Sequence, residues 1–201
     1  MGGGDLVQYV EANEDPVARI LKAKSIGRQL LSAVSYCHGR NRIHGGVAPY
    51  NVFFDKDLEN VKLINFGIPP VVEDEQGQLA GGSLWNGNSY LSPEQFEGKL
   101  SLKSDTWSFG CLLLFASTGL RPYHDISDQV ELLKVTELLK ATPLHYLMTS
   151  EDPTPAVLQA QKIINQNPSL RCLLFKCFNF NWASRISAKE MIKDKFFKDA
   201  K

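Results

Sequence analysis

Residues 43–67 read IHGGVAPYNVFFDKDLENVKLINFG, and this stretch decides the fold. It opens with a polar, glycine-rich loop, residues 44–51. Two short apolar runs, residues 52–54 and 61–64, lie on either side of a charged, turn-rich link, and this pattern predicts a β-hairpin. A polar–aromatic–glycine triplet, residues 65–67, follows the second run directly. Polar side chains therefore stand at strand ends, where proteins often carry binding groups.

The spacing of this stretch resembles the catalytic core of eukaryotic protein kinases, in which H-R-D-x-x-x-x-N is followed by two strands and D-F-G. Here the loop reads HGGVAPYN and the triplet reads NFG. His44 and Asn51 match the family pattern, but Gly46 stands at the position of the catalytic aspartate. Ala48 replaces a lysine that is common in serine/threonine kinases, and Asn65 replaces the magnesium-binding aspartate.

These replacements bear directly on the chemistry that the resemblance implies. Phosphoryl transfer needs a carboxylate to orient the attacking hydroxyl and a divalent metal to neutralise charge. Gly46 offers no side chain, and the amides of Asn51 and Asn65 lack the negative charge that a hard cation prefers. Losing one charge-stabilising group typically costs about 10²–10³ in rate. We therefore expect a pseudokinase that is not an enzyme, with no metal site and with Asn51 and Asn65 as vestiges of one.

Two further motifs support the same resemblance. Ser92-Pro93-Glu94 matches the family's A-P-E, and SDTWSFG at residues 104–110 matches D-x-W-S-x-G. The resemblance implies that Asp105 caps the backbone of the catalytic loop and that Glu94 pairs with Arg185. The resemblance also implies a structural role for Phe66 and Gly67. The simpler alternative for each charged residue is a solvated surface position.

The resemblance covers nearly all of residues 1–201 but implies only the C-terminal lobe of a kinase domain. Its parts are a hinge at about 1–6, a catalytic-loop and activation-segment region at about 43–94, and a helical subdomain at about 100–197. The glycine loop, strand lysine and helix glutamate of an N-terminal lobe (N-lobe) do not precede the hinge. The predicted fold is thus mainly α within the α+β family, a helical bundle with a small β-hairpin.

Capping signals and apolar spacing predict the helices. Asp15 and Pro16 begin a helix that ends near Gly39, with His38 as an ordinary helix-end residue. A buried helix ends near Thr118. Further helices are expected from 6 to about 13 and near 127–140, 157–165, 169–178 and 188–196, with a proline-containing linker near 143–155.

Composition limits the partners and the compartment. Lysine plus arginine equal aspartate plus glutamate at 22 each, which argues against nucleic acid or membrane as the main partner. The four cysteines form no C-x-x-C pair and indicate buried thiols rather than disulfides. We expect an intracellular, cytoplasmic protein. We expect no cofactor on this chain, with ATP and magnesium bound only if a longer product carries an N-lobe.

These observations predict a signalling scaffold or allosteric module that binds protein, such as another kinase or its substrate. Two surfaces are candidates: the face near Phe66, which an N-lobe would cover, and the region around Leu91, Tyr123 and the helix from Ser127. Two alternatives stay open. The chain is a fragment of a longer kinase or pseudokinase whose N-lobe binds ATP, or it is a divergent serine/threonine protein kinase.

Overall fold

The architecture is mainly helical, with one antiparallel two-stranded sheet, as predicted from the sequence. The computed structural model describes residues 2–66, 89–96, 99–126, 131–132, 134–135 and 142–198. One large apolar core joins the helices and the hairpin, and a smaller cluster surrounds Tyr123. No helix within the described ranges is both long and apolar enough to cross a membrane.

Two capped helices open the chain. Helix α1 spans Leu6–Ala12, and Asp5 caps it through a reciprocal capping box with Gln8. Helix α2 spans Pro16–His38, close to the predicted bounds. The Asp15 carboxylate accepts hydrogen bonds from two free backbone N–H groups at the start of α2, where a proline costs no hydrogen bond.

The glycine-rich start of the chain lies against the hairpin. The Gly3 N–H donates to the Phe54 carbonyl at 3.3 Å, and the Phe54 N–H donates to the Gly4 carbonyl at 2.9 Å. A Cβ on Gly3 would lie 1.9 Å from the Asp55 carbonyl oxygen, so only glycine fits there. Gly4 has a φ of 79°, in the left-handed region that favours glycine. The predicted hinge segment is therefore fixed by backbone contacts to the first strand.

The hairpin sets the geometry of the catalytic-loop region. Strand β1 spans Val52–Phe54 and strand β2 spans Val61–Leu63, with Val52 opposite Leu63. Beyond that pair, the Ile64 N–H donates to the Asn51 carbonyl at 2.9 Å. The residue before β1 and the residues after β2 therefore meet at one end of the hairpin.

A long buried helix is the centre of the lobe. Helix α3 is a single turn, Pro93–Phe96, and α4 spans Leu102–Thr118. Every residue from 104 to 118 is buried, including the polar side chains of Ser104, Asp105 and Thr106 near the start of the helix. The side chain of Ser101 caps its start, and Gly119, with a φ of 76°, ends it in the left-handed conformation.

Five further helices complete the described part of the lobe. They are α5 (Pro143–Met148), α6 (Pro155–Gln166), α7 (Pro168–Cys177), α8 (Ala188–Met191) and α9 (Lys195–Lys198). Helix α4 packs against α2, α6 and α7, while α2 also contacts α8 and α9. Gly110 permits the close approach of α4 and α7, because a Cβ there would lie 2.6 Å from the Cys177 Cβ.

Several local predictions need correction. Helix α5 lies within the predicted linker, where Thr142 caps a helix that begins at Pro143. The single helix predicted at 188–196 is two short helices, and the Asp194 carboxylate accepts from the Phe196 N–H at the start of the second.

The helix predicted at 127–140 lies mostly outside the described residues, although 131–132 and 134–135 are helical. All four cysteines are free. Cys111 and Cys177 are buried as predicted, but Cys37 is half-buried and Cys172 is exposed.

Candidate functional site

Asp105, in the first turn of α4, holds the start of the candidate catalytic loop. Its side chain accepts from the backbone N–H groups of His44 and Gly45, both at 2.8 Å. Its Oδ2 atom also lies 2.8 Å from His38 Nε2 at the end of α2. The structure therefore joins Asp105 to the loop backbone, as the resemblance implies. His38 is not an ordinary helix-end residue, because it takes part in this buried contact.

His44 is a buried, neutral histidine. Its Nδ1 atom accepts from the Gly46 N–H at 3.1 Å, so the proton is on Nε2. Burial lowers the pKa of His44, and this effect outweighs the attraction of the nearby Asp105 carboxylate. Phe66 stacks edge-on against the ring, with the centroids 5.4 Å apart. His44 Nε2 has no hydrogen-bond partner within the part of the chain that the structure describes.

Asn51 joins the predicted site residues into one hydrogen-bonded group. Its Nδ2 amide donates to the Gly46 carbonyl at 2.8 Å, and its Oδ1 atom accepts from the Asn65 Nδ2 amide at 2.7 Å. Asn65 has a φ of 61°, a left-handed conformation that asparagine tolerates better than most residues. A Cβ on Gly46 would lie 3.2 Å from both Asn51 Nδ2 and the Asn65 carbonyl oxygen. Any side chain at position 46 would therefore crowd the Asn51 amide and the Asn65 carbonyl.

This donor set does not fit a magnesium ion. Asn51 and Asn65 offer neutral amides, and the Asn51 Oδ1 atom already accepts the Asn65 amide. Magnesium sites are usually built on carboxylates and phosphates. The described ranges hold no cluster of three or more His, Cys, Asp or Glu side chains arranged to ligate a metal. Ala48 is buried and provides no ammonium group for a phosphate.

Glu94 and Arg185 form a buried bidentate ion pair. The two guanidinium nitrogens donate to the two carboxylate oxygens at 2.6 and 2.9 Å, and Arg185 is 1% exposed. The Ser104 hydroxyl donates to the same carboxylate at 3.0 Å. Burial acts to raise the pKa of Glu94, but the hydrogen bonds and charge of Arg185 lower it below its usual value. The contact predicted from the sequence is thus present, and a surface position for either residue is excluded.

The two predicted binding surfaces differ in exposure. At the end of β2, Ile64 is 38% exposed and Phe66 is 51% exposed, beside the loop. Leu91 and Tyr123 are only 6% and 5% exposed, so these two residues do not form a binding surface. Tyr123 packs against Tyr146 with ring centroids 5.4 Å apart. Gly67 and the predicted activation segment up to residue 88 lie outside the described residues.

Comparisons with known proteins agree with this geometry. The protein kinase domain profile matches residues 1–197. The chain is 31% identical to mitogen-activated protein kinase kinase 2 of Arabidopsis thaliana over 98% of its length and 50% of the relative's. It is 28% identical to CBL-interacting protein kinase 29 of rice, Oryza sativa subsp. japonica, over 98% of this chain and 39% of that protein. It is 26% identical to human 3-phosphoinositide-dependent protein kinase 1 over 74% of this chain and 26% of that protein. The chain thus spans about half the length of the Arabidopsis relative.

These matches overturn the prediction that the chain is not an enzyme. The matched family is one of phosphate-transferring enzymes, and all three relatives are named as kinases. The prediction relied on single side chains, chiefly Gly46 and Asn65, whereas the similarity extends along nearly the whole chain. Because the profile covers residues 1–197, the chain belongs to the protein kinase family.

Proposed function

We propose that this chain is the protein-binding lobe of a protein kinase family member and acts on a partner protein as a scaffold or allosteric element. The observation that carries the proposal is the exposed apolar pair Ile64 and Phe66 at the end of β2. A contiguous exposed apolar patch marks an interaction site or an aggregation liability. The Phe66 ring packs edge-on against His44, and this contact holds the ring in place.

The rigidity of the loop supports the same proposal. Asp105 accepts hydrogen bonds from two backbone N–H groups of the loop. Asn51 is hydrogen-bonded to both Gly46 and Asn65. The loop therefore keeps its conformation through protein groups alone. A surface that is ordered before binding loses less conformational freedom when a partner docks on it.

A second function is favoured by the family match itself. A whole protein that joins this lobe to an ATP-binding lobe would transfer phosphate to serine or threonine, as the family membership and the names of the relatives suggest. Position 46 would then supply no carboxylate, so another group would have to orient the substrate hydroxyl. We further propose that the chain by itself holds neither ATP nor magnesium, because of the amide donor set.

The partners and the compartment are part of this proposal. We propose protein partners, another kinase or a kinase substrate, rather than nucleic acid or membrane, since the net charge is zero. The free cysteines support a reducing, cytoplasmic compartment.

Site-specific photocrosslinking tests the protein-binding role. A photoreactive phenylalanine analogue replaces Phe66 in one variant and Tyr36 in the control, an exposed aromatic on α2. We expect discrete crosslinked proteins from position 66 that are missing from position 36. Identical crosslinks from both positions would contradict the assignment of the surface.

A phosphotransfer assay separates the two functions. The chain, and any longer product, is incubated with radiolabelled ATP and a divalent metal, before and after Gly46→Asp. Transfer that changes with this substitution supports the second function. A crosslinking partner at position 66 without such transfer supports the first.

A further inference from the structure

An open cleft of about 820 Å³ lies in the helical subdomain, and no residue of the candidate loop lines it. Its walls come from α7, the start of α4, residues 183–186 and the segment that joins α8 to α9. Five cations line it, and we call it the basic cleft after them: Lys103, Lys176, Arg185, Lys193 and Lys195.

The basic cleft carries positive charge on a chain whose net charge is zero. Its lining includes two acids, Glu190 and Asp194, so the five cations leave a surplus of three positive charges. Glu94, which pairs with Arg185 from outside the lining, reduces that surplus to two. The cleft is therefore a local basic site and not part of a generally basic surface.

Two of the cations are available to a ligand. Lys176 is paired with Asp194 at 2.6 Å, and Lys103 donates to the Arg185 carbonyl oxygen. Lys193 and Lys195 are exposed, and neither ammonium group has an ion-pair partner among the described residues. These two lysines can therefore bind carboxylates of a ligand without breaking an existing ion pair.

An apolar hollow continues the basic cleft along α7. It measures about 480 Å³ and shares four lining residues with the basic cleft: Pro168, Cys172, Lys176 and Asn179. Phe175, 55% exposed, forms its wall, and the Arg171 guanidinium lies 5.8 Å from that ring. A ligand that spans both parts would present acidic groups to the lysines and one apolar group to Phe175.

We propose that the basic cleft and its apolar hollow bind a short acidic peptide segment of a partner protein, with one apolar side chain against Phe175. The concave shape favours a peptide over a lipid surface, and the volume is typical of ligand sites. Nucleic acid requires a basic stripe on a basic chain, which a neutral chain with one basic cleft does not offer. This site shares no residue with the Ile64–Phe66 surface and goes beyond the function proposed above.

Fluorescence anisotropy tests the proposal with labelled synthetic peptides of aspartate and glutamate around a central leucine. Comparison peptides replace the acids by their amides, or the leucine by glycine. We expect saturable binding of the acidic peptide, weakened about tenfold or more by Lys193→Glu with Lys195→Glu. The matched control, Arg42→Glu with Lys162→Glu, makes the same charge change at exposed positions outside the cleft and should leave binding unchanged.

Alkylation of the cysteines locates the bound peptide. Cys172 lies in the cleft and is exposed, so bound peptide should slow its alkylation, while half-buried Cys37 should react at an unchanged rate. Equal melting temperatures for all variants show that folding is intact.

Four outcomes would overturn the proposal. They are no saturable binding, equal loss in the control variant, equal binding of the amide peptide, and displacement of the peptide by anionic vesicles or an oligonucleotide. None of them depends on the crosslinking at position 66, so the two proposals fail separately.

Discussion

Replacing Arg185 by alanine should be severely destabilising. In the parent chain the guanidinium donates twice to Glu94, at 2.6 and 2.9 Å, and also to the Asn179 and Lys103 carbonyl oxygens, each at 2.9 Å. The variant leaves the carboxylate of Glu94, which is 6% exposed, without a cationic partner, although the Ser104 hydroxyl still donates to it. Breaking a buried ion pair by removing one partner costs about 3–5 kcal/mol.

That cost converts into a measurable change in melting temperature. For a chain of this size, 1 kcal/mol shifts the melting temperature by about 2–4 °C, so the expected decrease is about 6–20 °C. Circular dichroism or calorimetry measures it directly. The surface pair Arg121–Glu11 offers a matched control, because its atoms lie 3.5 Å apart and both side chains are more than half exposed. Arg121→Ala should change the stability by less than about 1 kcal/mol.

A double variant separates the charge from the shape of the pair. Glu94→Gln with Arg185→Met removes both charges, so neither is left buried alone. We expect it to be more stable than Arg185→Ala, since replacing a buried ion pair by uncharged groups is often neutral. If Arg185→Ala and Arg121→Ala melt at the same temperature, the argument for a buried pair is wrong.

Three further predictions concern packing, metal binding and pH. Gly110→Ala should cost about 1–3 kcal/mol in denaturant unfolding, because the added methyl would lie 2.6 Å from the Cys177 Cβ; Gly39→Ala, whose nearest contact is 3.4 Å, should be nearly neutral. Asn65→Asp should give a calorimetric signal with magnesium that the parent lacks, and equal signals would disprove our account of the amide donor set. Arg185 lowers the pKa of Glu94 below its ordinary value of about 4.3. The ion pair therefore stabilises the folded state fully when the pH is above that value, and this stabilisation is lost as the pH falls below it. The parent should therefore lose stability in acid more steeply than Glu94→Gln.

Helices with strong terminal signals could be predicted from the sequence. Asp15 and Pro16 define the start of α2, and Gly119 defines the end of α4, because capping chemistry is local. Helix α5 was not predicted, because Pro143, Pro153 and Pro155 suggested a linker, whereas Pro143 occupies the first helical turn. The break before α9 depends on the Asp194 side chain and has no periodic signal.

The contacts of the site were only partly predictable. Glu94 and Arg185 are 91 residues apart, and only the family resemblance indicated that they meet. The contact of His38 with Asp105 and the burial of Tyr123 depend on how distant segments pack. The Asn51–Asn65 hydrogen bond required the hairpin register, which brings both residues to one end of the sheet.

The burial of α4 has a consequence for how the lobe unfolds. A helix with no solvent-facing side cannot lose a neighbour without exposing apolar surface, so α2, α6 and α7 cannot detach from it one at a time at low free-energy cost. The helical subdomain therefore opens as one cooperative unit. Backbone amides of α4 should exchange with solvent deuterium only through global unfolding, at rates set by the stability of the whole lobe.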